Sequence, residues 1–143
     1  MSRHVYDCYV RFSDVDVYGH VNNVKYFEYY QEARIAFIMS LDEPLLDPAS
    51  ASTERQVLAR IDVDYKRPIL FRPETYAVET WVTRIGTSSY DLSSRIVGGT
   101  DDPTVYSTAQ VRLVAFDLAT QRSRPLSAVE RQRLEAVLET SAA

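Results

Sequence analysis

The chain is poor in the residues that build stapled or metal-held scaffolds: 143 residues include one cysteine, Cys8, and two histidines, His4 and His20. One thiol forms no internal disulfide, and one thiol with two imidazoles gives a zinc site little support. Glycine and proline are scarce, at 4 and 6 residues, which excludes collagen-like and linker-like chains. Nowhere do 18 uncharged apolar residues run together, and the start, MSRHVYDCYV, has no apolar stretch of signal-peptide length. No membrane partner is therefore expected, and a reducing cytoplasm is the expected compartment. Basic runs are also missing. With 16 Lys+Arg against 20 Asp+Glu the formal net charge is −4, which repels a polyphosphate and makes nucleic acid an unexpected partner.

What is there is an ordinary globular composition, 45% hydrophobic and 25% charged. A chain of this length is expected to form a single domain over 1–143, burying roughly 68–70% of its unfolded surface. Residues 4–12 alternate, with Tyr6, Cys8, Val10 and Phe12 on one side, the period of a half-buried strand. From Tyr26 the spacing changes: Tyr26, Tyr30, Ala33 and Phe37 recur three and four apart with no Gly or Pro before Pro44. That stripe predicts a helix of about four turns that must be wrapped by something. The stretch 42–55 has no period and reads as a loop, with the length of a lid.

Alternation resumes at Val57, Ala59, Ile61, Val63 and Tyr65, and again at 76–85, 89–97 and 105–116, with turn formers at Gly86-Thr87 and from Gly98 to Pro103. These are antiparallel neighbours. Ser127-Ala128-Val129-Glu130 is a capping box that opens a short last helix. The order of elements predicts an α+β layer structure, an antiparallel sheet of five or more strands curled around one long helix.

Chemistry concentrates between the first strand and the long helix, at Asp14, Asp16, Gly19, His20, Asn22 and Asn23. This connection delivers residues to a helix N-terminus, where free N–H groups and the dipole favour developing negative charge, with Asn22 or Asn23 as the N-cap. A carboxylate there, with an ordinary pKa of about 3.9, is ionised at neutral pH and suits a base or nucleophile. The same residues also serve as plain turn caps, and His20 as a plain hydrogen-bonding group. No G-x-S-x-G occurs to support a serine nucleophile, and Gly98-Gly99 is a hairpin turn, with no helix after it to make a phosphate loop.

The run Arg11-Phe12-Ser13-Asp14-Val15-Asp16-Val17-Tyr18-Gly19-His20-Val21-Asn22-Asn23, with Tyr26 and Tyr29-Tyr30-Gln31-Glu32-Ala33-Arg34, resembles the signature of hotdog-fold acyl-CoA thioesterases of the 4-hydroxybenzoyl-CoA thioesterase family. Val63-Asp64-Tyr65-Lys66-Arg67-Pro68, Arg84-Ile85-Gly86-Thr87-Ser88-Ser89 and Arg124-Pro125-Leu126-Ser127 agree more loosely. The resemblance implies a hotdog fold of five or six antiparallel strands around a long central helix, with a short C-terminal helix. It also implies a homodimer or homotetramer with active sites between subunits, and hydrolysis of an acyl thioester. The carry-over makes Asp16 the base or nucleophile and the Asn23 backbone N–H the oxyanion donor. By the same resemblance Asp14 supports the turn, and Glu32 and Arg34 form a structural or interface pair.

No cofactor or metal is implied, coenzyme A being part of the substrate. The carrier is coenzyme A or acyl carrier protein, because the usual phosphate-gripping positions differ here; Arg84, Arg72 or Lys66 are the substitutes. Two other readings are a non-catalytic acyl-CoA-binding hotdog module and a hydratase, for which His20 would cooperate with Asp16. Tyr29, Phe37 and Trp81 are available to line an acyl pocket, but aromatic side chains at these spacings are expected to be core.

Overall fold

The computed structural model describes residues 3–41 and 54–139; the expected lid at 42–55 falls outside them except for Glu54 and Arg55. The elements run β1 (His4–Cys8), α1 (Asn23–Ser40), β2 (Glu54–Tyr65), β3 (Tyr76–Ile85), β4 (Ser89–Gly99), β5 (Asp102–Asp117), β6 (Arg122–Ser123) and α2 (Ala128–Ala136). They form one antiparallel six-stranded sheet in the order β1-β3-β4-β5-β2, with the two-residue β6 on β5. One long helix packed on this sheet, followed by a short second helix, is the hotdog arrangement.

One boundary and one register differ from the pattern expected of the sequence. The first strand stops at Cys8, and residues Phe12–Asp14 turn into a single 3-10 turn. Phe12 therefore does not continue the buried row of Cys8 and Val10; it is 78% exposed and stacks edge-on against Phe71, with ring centroids 5.8 Å apart. The second difference is in β2, whose pairing with β5 slips between Leu58 and Arg60. Ala59 is the extra residue of a β-bulge, which shifts the phase of everything before it. Leu58, Ile61, Val63 and Tyr65 sit opposite the buried Leu113, Val111, Ala109 and Ser107, so they share the inner face. Val57, opposite Val114, belongs to the other face. As an outermost strand β2 is only half covered, and Leu58 and Tyr65 stay 45% and 47% exposed.

The core lies between the sheet and α1, whose buried residues are Tyr26, Tyr29, Tyr30, Ala33, Arg34, Phe37 and Ile38. Its first turns pack against Val21, Tyr76, Val78 and Ile96, and its last against Val82, Leu92, Leu113 and Leu134. Burying each large apolar side chain is worth about 1.5–3 kcal/mol, so these side chains hold the helix on the sheet along its whole length. Tyr29 and Phe37 are thus core residues, and Trp81 lies under the Arg3 guanidinium, 3.6 Å from its ring centroid.

Glu32 and Arg34 do not pair. Two residues apart on a helix, they point to different sides: Glu32 is exposed and Arg34 is buried. Burial lowers the Arg34 guanidinium below its usual range, with the neighbouring Tyr90 acting the other way.

Candidate active site

The segment between β1 and α1 is built around Asp14, which is fully buried. Its Oδ2 accepts hydrogen bonds from the Tyr29 hydroxyl at 2.7 Å and the Arg11 N–H at 3.1 Å, and its Oδ1 from the Arg11 guanidinium at 3.0 Å. Its backbone carbonyl takes the Asn22 N–H at 2.8 Å, closing the segment into a loop. Burial pushes the Asp14 carboxyl up, but the hydrogen bonds from Tyr29 and Arg11 outweigh it and hold the group below the usual carboxylate range. Burial, and then the adjacent Asp14, push the Tyr29 phenol well above its ordinary value. The pair therefore stays carboxylate and phenol at any physiological pH. Asp14 supports the turn, as the resemblance implies.

Asp16 lies outward from that anchor and is exposed. Its Oδ1 accepts the backbone N–H of Tyr18 at 2.9 Å and of His20 at 3.2 Å, and its own N–H donates to the His20 carbonyl at 2.8 Å. Gly19 makes this tight turn with a φ of +77°, which a side chain would strain. The far side of the loop is stitched to residues 69–70: the Val21 N–H donates to the Ile69 carbonyl at 2.8 Å, and His20 bridges Leu70. The Asp16 carboxylate is thus held at a fixed place without being buried.

Asn22 is the N-cap of α1, its side-chain oxygen accepting the Val24 N–H at 3.0 Å while its carbonyl takes the Lys25 N–H at 2.9 Å. Among the described residues nothing accepts the Asn23 N–H, so the first amide of the helix is open. The Tyr65 hydroxyl donates to the Asn23 carbonyl at 3.0 Å and the Tyr65 ring packs edge-on against Tyr26, which ties the end of β2 to the helix start.

Asp16, His20, Asn23, Tyr65, Lys66 and Arg67 line one cleft of about 240 Å³. A carboxylate and an open helix-terminal N–H in the same cleft are the two groups that attack at a carbonyl needs, one to generate the nucleophile and one to receive the oxyanion. A larger cavity of about 460 Å³ between β1 and α1 has carboxylates in its lining, Asp7, Glu28 and Glu32, but Asn23 and its open N–H are not part of it. Cys8 borders that cavity, but burial, then the charge of Asp14, push its thiol up to about 12, so it is no nucleophile. Among the described residues no three His, Cys, Asp or Glu side chains gather to hold a metal ion.

Two of the three substitute phosphate grips are occupied elsewhere. Arg72 donates to the carbonyls of Glu74, Thr75 and Gly98 and lies over the Tyr76 ring. Arg84 is hydrogen-bonded to Asp91 at 2.9 Å and to Ser89 Oγ at 2.7 Å. Lys66 does line the cleft, together with Arg67, which the sequence reading passed over although it stands beside Lys66 and before Pro68.

The sequence matches the thioesterase-like superfamily over residues 10–136. The chain belongs to that family. It is 27% identical over 126 residues to the long-chain acyl-CoA thioesterase FadM of Escherichia coli, a match covering 88% of this chain and 92% of that protein. Among solved structures it is similar to the PA2801 protein of Pseudomonas aeruginosa, with 34% identity and a TM-score of 0.78 over 92% of this chain and 98% of the other. A thioesterase from Thermus thermophilus solved with coenzyme A and Zn is 29% identical, with a TM-score of 0.73 and 92% of each chain covered. The family and the fold are those that the resemblance in the sequence implied. Among the described residues no helix is long and apolar enough to cross a membrane.

Proposed function

We propose that the protein hydrolyses acyl-CoA thioesters in the cleft beside the start of α1. The observation that carries this reading is the presence in one cleft of the Asp16 carboxylate, fixed through Oδ1, and the Asn23 N–H, which nothing among the described residues accepts. The similarity to a long-chain acyl-CoA thioesterase and to a coenzyme A-bound thioesterase supports the substrate class.

Asp16 either takes a proton from water as the water attacks the thioester carbonyl, or attacks that carbonyl itself to give an anhydride that water then opens. In both routes the carbonyl oxygen becomes an oxyanion that accepts from the Asn23 N–H and is favoured by the helix dipole. The intermediate collapses with cleavage of the C–S bond, and the thiolate leaves with no strong general acid required. The products are a free acid and a thiol.

The test is release of free thiol from acyl-CoA by the purified protein and by Asp16→Asn. Turnover that disappears in the variant supports the reading. Release at the parental rate overturns the role of Asp16, and no release by the parent overturns hydrolysis in favour of an acyl-CoA-binding module.

A further inference from the structure

Arg34 carries a charge into the core without a partner. The residue is 9% exposed, yet among the described residues its guanidinium donates no hydrogen bond, meets no carboxylate at ion-pair distance and lies over no aromatic ring. Arg124, also largely covered, shows the usual arrangement: its guanidinium holds the Glu130 carboxylate at 2.7 Å. A buried ion with nothing in place of its hydration is strongly unfavourable, and a guanidinium does not escape by giving up its proton. Broken rules of this kind gather at functional sites. What Arg34 lacks is an oxygen acceptor.

Its place on α1 shows the direction from which that acceptor comes. Asn23, Phe27, Tyr30 and Arg34 recur four, three and four residues apart, so they form one stripe along the helix, with the open amide at its foot. Arg34 lies eleven residues beyond Asn23, which at 1.5 Å per residue is about 16 Å along the axis. Helical side chains lean toward the N-terminus, so the guanidinium comes nearer the amide than that. Strand β2 follows the same stripe: Tyr65 is bonded to the Asn23 carbonyl, Val63 packs on the cluster of Tyr26 and Tyr30, and Ile61 on that of Phe37 and Ile38. Phe27, Tyr65 and Leu58 are all only half covered. The Asn23 N–H and Arg34 therefore stand at the two ends of an apolar track between α1 and β2, with the cleft at one end and an uncompensated cation at the other.

We propose that Arg34 receives an oxygen at the far end of the acyl chain while the thioester carbonyl sits on the Asn23 N–H, so that the cleft prefers acyl groups ending in a carboxylate or hydroxyl over plain alkyl chains of the same length. This rests on the hydrolytic reading of that cleft. A terminal carboxylate offers two oxygens to the planar fork of the guanidinium and supplies the charge that the core withholds.

The experiment measures kcat/KM of the parent, Arg34→Met and Arg34→Lys on acyl-CoAs of matched length that end in methyl, hydroxyl or carboxylate, with the length raised stepwise. In the parent the oxygen-ended chains should overtake the methyl-ended ones once the chain is long enough to reach Arg34. In Arg34→Met the ratio of oxygen-ended over methyl-ended should fall roughly 10- to 100-fold, the worth of hydrogen bonds to a charged group. Arg34→Lys keeps the charge, loses the fork and should recover part of the ratio. The melting temperature of Arg34→Met should equal or exceed the parent's, because an apolar side chain replaces an unpaired buried charge. A parent that favours methyl ends at every length overturns the proposal, as does an unchanged ratio, or an equal loss on all chains with a lowered melting temperature, which is what a structural arginine would give. A loss on both oxygen-ended chains assigns the contact to any oxygen acceptor; a loss confined to the carboxylate end assigns it to an anion. If the parent hydrolyses none of them, titration with S-alkyl-CoA thioethers bearing the same three ends still decides: weaker binding of the oxygen-ended thioethers to Arg34→Met by the same factor upholds the contact, and equal binding rejects it.

Discussion

The Tyr29 hydroxyl, one turn and a half into the long helix, donates at 2.7 Å to the buried carboxylate of Asp14. This contact joins the site loop to the helix it precedes. Asp14 in turn binds the Arg11 N–H and, through its carbonyl, the Asn22 N–H, so one residue fixes both ends of the loop that carries Asp16. The placement of an exposed catalytic candidate is thus determined by a residue that touches no solvent.

Removing the hydroxyl with Tyr29→Phe leaves the ring in the core and takes one hydrogen bond from a buried anion. Hydrogen bonds to charged groups are worth about 1.5–3 kcal/mol, and Arg11 still faces Asp14, so a loss of about 2 kcal/mol is expected in urea unfolding. Thioester turnover should fall only modestly, since Asp16 and the helix start remain.

Asp14 also predicts how stability responds to acid. Its folded carboxyl lies below the usual range, so its contribution is fully present above the unfolded value of about 3.9 and is lost as pH falls through the folded value. Asp14→Asn should therefore be less stable than the parent at pH 7, with the gap narrowing below about pH 4. A gap that stays constant to pH 2 would contradict the assignment.

Much of this site was legible because it is local. A turn, an N-cap and the first helical amide are encoded within residues 11–23, but the choice of Asn22 over Asn23 as the cap and the departure of Phe12 from the strand row were not. The pairing of β3 with β4 and of β4 with β5 was legible too, because these strands alternate cleanly between clear turns. The phase of β2 was not. Whether Val57 or Leu58 faces inward depends on a bulge at Ala59, which is a property of pairing with β5 and leaves the local alternation looking unbroken. The fates of the cations were hidden for the same reason: Arg72 is held by Gly98 and Arg84 by Asp91, through contacts that only the folded sheet creates. Arg67 was overlooked because nothing in a Lys-Arg-Pro triplet says which side of a cleft it borders.

On the sheet, Asp91 accepts from both Arg84 and Arg112, at 2.9 and 2.8 Å. Hydrogen bonds from Arg112, then from Arg84, outweigh burial and hold its carboxyl down at about 2. Depressed in this way, it contributes stability that is present above about pH 4 and lost as pH falls toward 2. Both arginines are partly exposed, so the contribution is discounted to about 1 kcal/mol. Asp91→Asn should lower stability by that amount at pH 7 and leave KM for acyl-CoA unchanged, because Asp91 is outside the cleft lining.

Asp16 has two separable jobs, and two substitutions distinguish them. Its Oδ1 organises the loop by accepting the Tyr18 and His20 N–H groups, a task that an amide oxygen performs as well as a carboxylate. Its negative charge is the part that generates a nucleophile. Asp16→Asn keeps the acceptor and removes the charge, so thermal stability should be retained while kcat falls by about 10²–10⁴-fold, the usual worth of a general base. Asp16→Ala removes both. It should lose the same catalytic factor and in addition about 1 kcal/mol of stability, the net contribution of a typical hydrogen bond. Were Asp16→Asn to lose stability as Asp16→Ala does while still turning over acyl-CoA, the carboxylate would be a turn former and the base would have to be sought elsewhere in the cleft, beginning with His20.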